Sequence, residues 1–371
     1  MHQPIPVNTP LLNGNELKYV TECLETGWIS SEGPFISKFE EGFSNYIGCE
    51  YGVAVSNGSA ALDIAIKALN IGQGDEVIMP AFTIISPAQS VVTAGALPVL
   101  VDSDPLTWNM DATQIEAKIT ARTKAILVVH IYGLPVDMDP ILALAKKNNL
   151  KVIEDAAEMH GQTYKGKMCG SMADLSIFSF YPNKHITTGE GGMLLTNDKV
   201  LAERCKKLRN LCFEPNGPRF VHYELGWNYR MTNLQAALGL AQLEQIDGFI
   251  GIKRKMGANY QHQLSFLKEK GYQLPLAKTD FAENIYWVFG LVAPTEKEKE
   301  EMVNYLTENN IGTRPFFWCI HEQPVFKSMG LFEGENYPVA EKLARNGFYL
   351  PSGLGLTDEN LEVIVNKIRV R

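Results

Sequence analysis

Short apolar runs rich in β-branched residues alternate with amphipathic segments through the first three-fifths of the chain. Residues 53–55, 76–79, 98–101, 125–130, 151–154, 175–180 and 193–196 have the length and composition of buried strands. Between them, residues 60–69, 86–94, 111–119, 139–148 and 199–208 space their apolar positions as helices do. Strand and helix in such alternation predict an α/β layer with a largely parallel sheet, covered on both faces. Residues 236–243 open a long helix through Leu238, Leu240, Leu243 and Ile246. From about Phe249 the texture changes. Lys253, Arg254 and Lys255 begin a helical stretch, residues 296–309 read as a charged helix, and only a few strands are interspersed. This predicts a large α/β domain over residues 1–248, including an N-terminal segment, and a smaller α+β domain over residues 249–371.

Composition narrows the function class. The chain of 371 residues is 45% hydrophobic and 20% charged, as in ordinary globular enzymes, with a formal net charge of −8. An acidic balance without a basic patch argues against nucleic acid or an anionic membrane as partner. Cys23, Cys49, Cys169, Cys205, Cys212 and Cys319 form no CxxC pair and no metal-type spacing with histidine, so no metal is expected. Reduced thiols, no secretory leader and no spanning apolar run predict a cytoplasmic protein.

Four separated pieces carry candidate chemistry. Lys184 sits in Phe-Ser-Phe-Tyr-Pro-Asn-Lys-His-Ile-Thr-Thr-Gly-Glu-Gly-Gly (residues 178–192), a loop of small and polar residues directly after a strand. Alone it reads as a solvated lysine; held at a strand end, it is an amine nucleophile. Ser56-Asn57-Gly58-Ser59 joins a strand to a helix and is either a capped turn or an anion site made of backbone N–H groups and the Ser59 hydroxyl. Asp155, in Val-Ile-Glu-Asp-Ala-Ala-Glu, ends a buried strand; it either caps the next segment or meets a cation, such as the protonated ring nitrogen of pyridoxal phosphate. Gly226-Trp-Asn-Tyr-Arg-Met-Thr-Asn233 leads into the long helix, with Thr232 or Asn233 as its cap. His130, His160 and His222 read as satisfied polar positions rather than ligands.

Together these pieces, with GWISS, GDEVIMP, NYRMTN and GLAQLEQID, resemble the DegT/DnrJ/StrS-type nucleotide-sugar aminotransferases of pyridoxal-phosphate fold type I. The resemblance covers nearly the whole chain. It implies a large α/β domain with a mainly parallel central sheet, a smaller C-terminal α+β domain, and pyridoxal phosphate as cofactor. Lys184 falls on the Schiff-base lysine, Asp155 on the ring-nitrogen partner, and Glu158 near the cofactor hydroxyl. Gly58, Ser59 and Ser179 fall on phosphate-binding positions. Asn228 matches a position that reaches the phosphate from a neighbouring subunit, which implies a homodimer with shared sites. Trp28, Ser30, Arg230, Arg314 and His321 lie in segments that shape the nucleotide-sugar site. The family usually carries an aromatic residue where this chain has Ile84, so aliphatic contact replaces stacking there. Retention of Lys184, followed by His185, favours amination over the dehydratase branch, which has histidine in place of the lysine. The expected reaction moves the amino group of L-glutamate to C4 of a nucleotide-linked 4-keto-6-deoxy sugar. GWISSEGPFI, KHITTGEGGM and TRPFFWCIH point within the family to GDP-4-keto-6-deoxymannose as acceptor; a UDP- or dTDP-linked 4-keto sugar is the alternative.

Overall fold

Asp155, Ser179 and the turn at Asn57 are brought together by one sheet, seen in the computed structural model, which describes residues 3–214 and 217–371. In chain order its strands and a small hairpin are β1 (Tyr51–Val55), β2 (Glu76–Pro80), β3 (Leu97–Val101), β4 (Thr123–Val129), β5 (Lys151–Asp155), the two-residue pair β6 (Thr163–Tyr164) and β7 (Lys167–Met168), β8 (Leu175–Ser179) and β9 (Gly192–Thr196). Seven of them form a sheet of order β1-β9-β8-β5-β4-β2-β3. β2, β3, β4, β5 and β8 pair in parallel, while β9 runs antiparallel to both its neighbours, β1 and β8. The strands predicted from the apolar runs all appear. Every residue of β2 and β9 is buried, as a sheet covered on both faces requires.

The helices are α1 (Glu16–Thr26), α2 (Pro34–Ile47), α3 (Gly58–Ala68), α4 (Ser86–Thr93), α5 (Met138–Asn148), α6 (Lys199–Arg209), α7 (Asn233–Leu243), α8 (Ile246–Gln263) and, further on, α9 (Glu296–Glu308). α1 and α2 were not anticipated, although Phe35, Phe39, Phe43 and Ile47 recur at i+4 behind Pro34, a favoured first helical residue. Those four side chains are buried. Phe43 meets the rings of Phe178 and Phe180 edge-on at 4.8 and 5.1 Å, so removing it would cost about 3–5 kcal/mol. α2 thus covers the face of β8 opposite the candidate chemistry.

The helix expected over 111–119 is instead two 3₁₀ turns, Ala112–Gln114 and Glu116–Lys118. Asp111 accepts hydrogen bonds from Thr113 N–H and Oγ1 and from Gln114 Nε2, a local alternative to the helical ladder. Ile115 is its one fully buried anchor, too little for an apolar stripe. The long helix from 236 is interrupted at Glu244–Gln245 and continues as α8. Thr232 caps α7 in a capping box with Gln235. Asn233 is fully buried and ties down the N-terminal segment: Oδ1 accepts from Phe35 N–H at 2.9 Å and Nδ2 donates to Trp28 O at 2.7 Å.

After α8 the chain builds a three-stranded antiparallel sheet of order β10-β12-β11, from β10 (Phe289–Val292), β11 (Arg314–Pro315) and β12 (Gly347–Leu350). Met256 and Tyr260 of α8, Phe289, Leu306, Phe348 and Ile5 share one apolar cluster with it. All six cysteines are buried and free. No helix among the described residues is long and apolar enough to cross a membrane.

Candidate active site

The parallel strands end on one side of the sheet, where the connecting loops leave a crevice. A cavity of about 560 Å³ opens there, with Gly58, Ser59, Asp155, Glu158, Ser179 and Lys184 in its wall. Six of the twelve residues singled out from the sequence therefore meet. β1 delivers Asn57, whose Oδ1 accepts from Ala60 N–H at 2.8 Å and caps α3. The cap reading holds, and the cap leaves Gly58 and Ser59 on the cavity. Gly58 passes closely by Ser179: a Cβ there would stand 3.0 Å from Ser179 Cβ. Gly192, beginning β9, passes closer still, since a Cβ would lie 2.5 Å from Asn57 O. Ser59 Oγ donates to Ser86 Oγ at 2.9 Å, so Ser86, at the start of α4, joins the hydroxyl group that the sequence reading confined to Ser59 and Ser179.

Lys184 Nζ lies 3.8 Å from Glu158 Oε1, an ion-pair distance rather than a hydrogen bond. Burial holds the lysine below its ordinary pKa, against the opposing pull of Glu158 and Asp155. Burial pushes Glu158 up to about 8, with Lys184 and the Tyr132 N–H working against it. Tyr132 N–H donates to Glu158 Oε2 at 2.7 Å. Asp155 is 4% exposed and also raised by burial, opposed by Ala157 N–H, Lys184 and His130. Among the described residues its carboxylate accepts one hydrogen bond, from Ala157 N–H at 3.1 Å, so it caps weakly and remains short of donors.

His130 meets the expectation of a satisfied polar residue: Nδ1 accepts from Val136 N–H and Nε2 lies 3.0 Å from Glu154 Oε1. Glu154 also accepts from Gly170 and Met172 N–H, which explains this fully buried carboxylate without an ion. His160 departs from expectation. Among the described residues neither ring nitrogen of His160 or of His185 makes a hydrogen bond, and the rings pack with Phe178 and Phe180 or each other behind Lys184. Burial lowers the pKa of both, His160 to about 3. His185 therefore belongs to the layer beneath the loop, not to the cavity.

Trp28, Ser30, Asn228, Arg230, Arg314 and His321 do not line this cavity within one chain. The backbone carbonyls of Trp28 and Ser30 are taken by Asn233. Arg230 donates through Nη1 to Asn210 Oδ1. Asn228 is exposed on its loop. Arg314 is exposed but pairs in register with Tyr349, whose side chain does line the cavity. His321 is buried, 3.1 Å from Glu341 Oε1, and lines a separate cavity of about 420 Å³ with Glu322 and Lys327. Conversely, Thr83, Trp287, Phe317 and Tyr349 line the cavity without having been singled out. Phe317 lies within TRPFFWCIH and Thr83 directly before Ile84, but neither was given a role, and nothing in the sequence marked Trp287 or Tyr349. Ile84, at the departing position, is in the wall and 47% exposed.

The donor set suits an anionic, cationic-ringed aldehyde. Among the described residues Thr83 Oγ1 is buried without a partner and the Asp155 carboxylate has one donor, and a helix start with three nearby hydroxyls stands beside a lysine. Comparisons with known proteins agree with this chemistry. The chain is 44% identical over 368 residues, covering 98% of it and 97% of the relative, to a GDP-perosamine synthase of Escherichia coli. It is 43% identical to one of Caulobacter vibrioides, covering 97% and 96%. An aminotransferase from Psychrobacter cryohalolentis superposes with a TM-score of 0.91 at 30% identity, covering 98% and 97%. NtdA of Bacillus subtilis, solved with bound PMP, superposes with a TM-score of 0.89 at 30% identity, covering 100% and 84%. The model of the DegT/DnrJ/EryC1/StrS aminotransferase family matches residues 10–369, and the chain belongs to that family.

Proposed function

We propose that this chain is a pyridoxal-phosphate-dependent aminotransferase that carries the amino group of L-glutamate to C4 of GDP-4-keto-6-deoxymannose, giving GDP-perosamine. The observation that carries the reaction class is the placing of Lys184, Asp155 and the Gly58–Ser59 helix start around one cavity. The acceptor rests on the two perosamine synthase relatives, each matched over nearly its whole length. When bound, the cofactor supplies an aldehyde that takes up and returns an amino group, and a ring that draws electrons from the reacting carbon.

Each residue then has a task set by its position. Lys184 Nζ would be the amine that holds the cofactor, and it is placed to take and return a proton at the substrate carbon. Asp155 holds the positive charge of the ring nitrogen, which also relieves its own burial as an anion. Glu158 would lie beside the ring hydroxyl, and its carboxylate favours the charged form of Lys184. The N–H groups of Gly58 and Ser59, with the hydroxyls of Ser59, Ser86 and Ser179, bind the phosphate. Trp287, Phe317 and Tyr349 keep water from the back of the cavity.

The working unit in this reading is a homodimer, in which Asn228, Arg230 and the Trp28–Ser30 segment of one subunit complete the cavity of the other. Exposed Phe220, Tyr223, Leu225 and Trp28, around those residues, are the apolar surface that pairing would cover. The reaction would take place in the cytoplasm. Mass spectrometry of the nucleotide sugar after incubation with glutamate, cofactor and GDP-4-keto-6-deoxymannose tests the reading. Conversion to the amino sugar is expected. Amination of a UDP- or dTDP-linked keto sugar instead would overturn the acceptor, and amination of none would overturn the reaction.

A further inference from the structure

Lys253, on α8, is 3% exposed and has no carboxylate partner among the described residues. Its Nζ donates to two main-chain carbonyls, Trp287 at 2.8 Å and Ser352. A buried ammonium without a counter-charge is costly, and burial pushes this one down to about 7. What it gains in return is a fixed main chain at Trp287.

Trp287 is held from four sides. Its carbonyl accepts from Lys253, and its indole Nε1 donates at 2.8 Å to the carbonyl of Asn183, the residue before Lys184. Its ring stacks with Tyr132, centroids 5.8 Å apart and planes 28° from parallel. Its N–H passes Gly133 so closely that a Cβ there, at φ +101°, would stand 2.6 Å away. The face so fixed lies 4.0 Å from Lys184 Nζ, well inside the range of a cation–π contact. Tyr132 also holds Glu158 through its N–H, so one residue supports both the ring and the carboxylate that flank the amine.

We propose that Lys253 and Trp287 are a positioning pair for the reactive amine: Lys253 anchors the main chain of Trp287, and the anchored indole favours the protonated form of Lys184 at the cavity wall. The charges facing Lys184 are Glu158 and Asp155, which favour its protonated form, and the neutral His160 and His185 behind it. Burial opposes protonation, and the electron-rich indole face adds to the carboxylates. Once the neutral amine has taken the proton from the substrate carbon, the indole face and the carboxylates favour the ammonium that carries it until it is returned. This inference rests on Lys184 being the reactive amine of the proposed function.

The test measures the amine in the cofactor-free protein. Lys184 is acylated with acetic anhydride in short pulses from about pH 6 to 11, and its peptide is quantified by mass spectrometry, giving the midpoint of its reactivity. W287L should lower the midpoint by about one pH unit, W287F by less, and K253M in the same direction. A W287L midpoint equal to that of the unmodified protein overturns the proposal. A shift in W287L but none in K253M overturns the part assigned to Lys253. Should K253M fail to fold, K253Q, which keeps N–H donors for the carbonyls, replaces it, with a shift smaller than that of W287L expected and none overturning. A merely structural role would lower the melting temperature and leave the midpoint in place. Borohydride trapping of the cofactor on the wild-type protein separates the two readings: no adduct at Lys184 sinks the reactive amine, whereas an adduct with unmoved midpoints sinks the positioning pair alone.

Discussion

Lys184 Nζ stands 3.8 Å from Glu158 Oε1, with 11% and 8% of the two side chains exposed. At that separation and burial neither charge is independent of the other. A proton leaving one is felt by its neighbour, and the pair titrates as a unit. The arrangement places a proton donor, a proton acceptor and a nucleophile within one side-chain length.

Replacing Lys184 by Ala removes nucleophile and proton carrier together. Turnover should fall by at least about 10⁴-fold, with the melting temperature of the cofactor-free protein retained or raised because a buried amine is lost. Product formation followed by mass spectrometry checks this. A variant turning over within tenfold of the parent would remove Lys184 from the reaction.

Glu158 makes stability depend on pH with a definite sign. Its folded pKa is raised from 4.5 to about 8, so the folded state binds more protons than the unfolded chain between those values. Stability from this group is present below pH 4.5 and lost as pH rises towards 8. Glu158→Gln removes that loss and also withdraws support from the Lys184 ammonium, lowering the amine further, an effect of the same sign. The melting temperature of the variant relative to the parent, both cofactor-free, should therefore climb steadily from pH 5 to 8. A flat difference across this window would contradict the raised carboxyl.

The hydroxyls of Ser59 and Ser86, 2.9 Å apart, are assigned to the phosphate. Ser59→Ala should weaken cofactor binding by about 10- to 100-fold, the worth of one hydrogen bond to a charged group. Pyridoxal lacking the phosphate should bind both proteins alike. Equal weakening for both compounds in a fluorescence titration would place Ser59 elsewhere.

Shared sites predict complementation. Neither Lys184→Ala nor Asn228→Ala homodimers should match the parent, and mixed dimers should regain activity, because one of their two sites holds both native residues. Refolding the two variants together and assaying the mixture measures this. Failure to gain over the separate proteins would count against a contribution of Asn228 across the interface.

Much of the architecture is written in the order of residues. A strand needs only a short apolar run, and a helix only a period, so the seven strands and most helices followed from local pattern. Asp155 and Lys184 were legible only in company: alone the carboxylate reads as a cap and the lysine as solvated, and it was the combination of motifs that singled out the two residues the structure brings to one cavity. The turn at Asn57-Gly58-Ser59 was legible for its helix start, though not for the second hydroxyl at Ser86, which lies in a different strand–helix unit. The segment at 111–119 misled because Asp111 captures its own backbone, a local competition that apolar spacing does not register.

What only the tertiary structure decided is proximity across the chain. Trp287 reaches Lys184 because Gly133 admits its backbone and Lys253, on another helix, takes its carbonyl. Those three positions have no common period or motif, so no pattern could join them. The sequence by itself determined which residues carry charge, nucleophilicity and capping, since these are properties of side chains and their neighbours. The fold decided their strength, because burial sets the pKa of Glu158 and Lys184, and burial is a property of the whole chain.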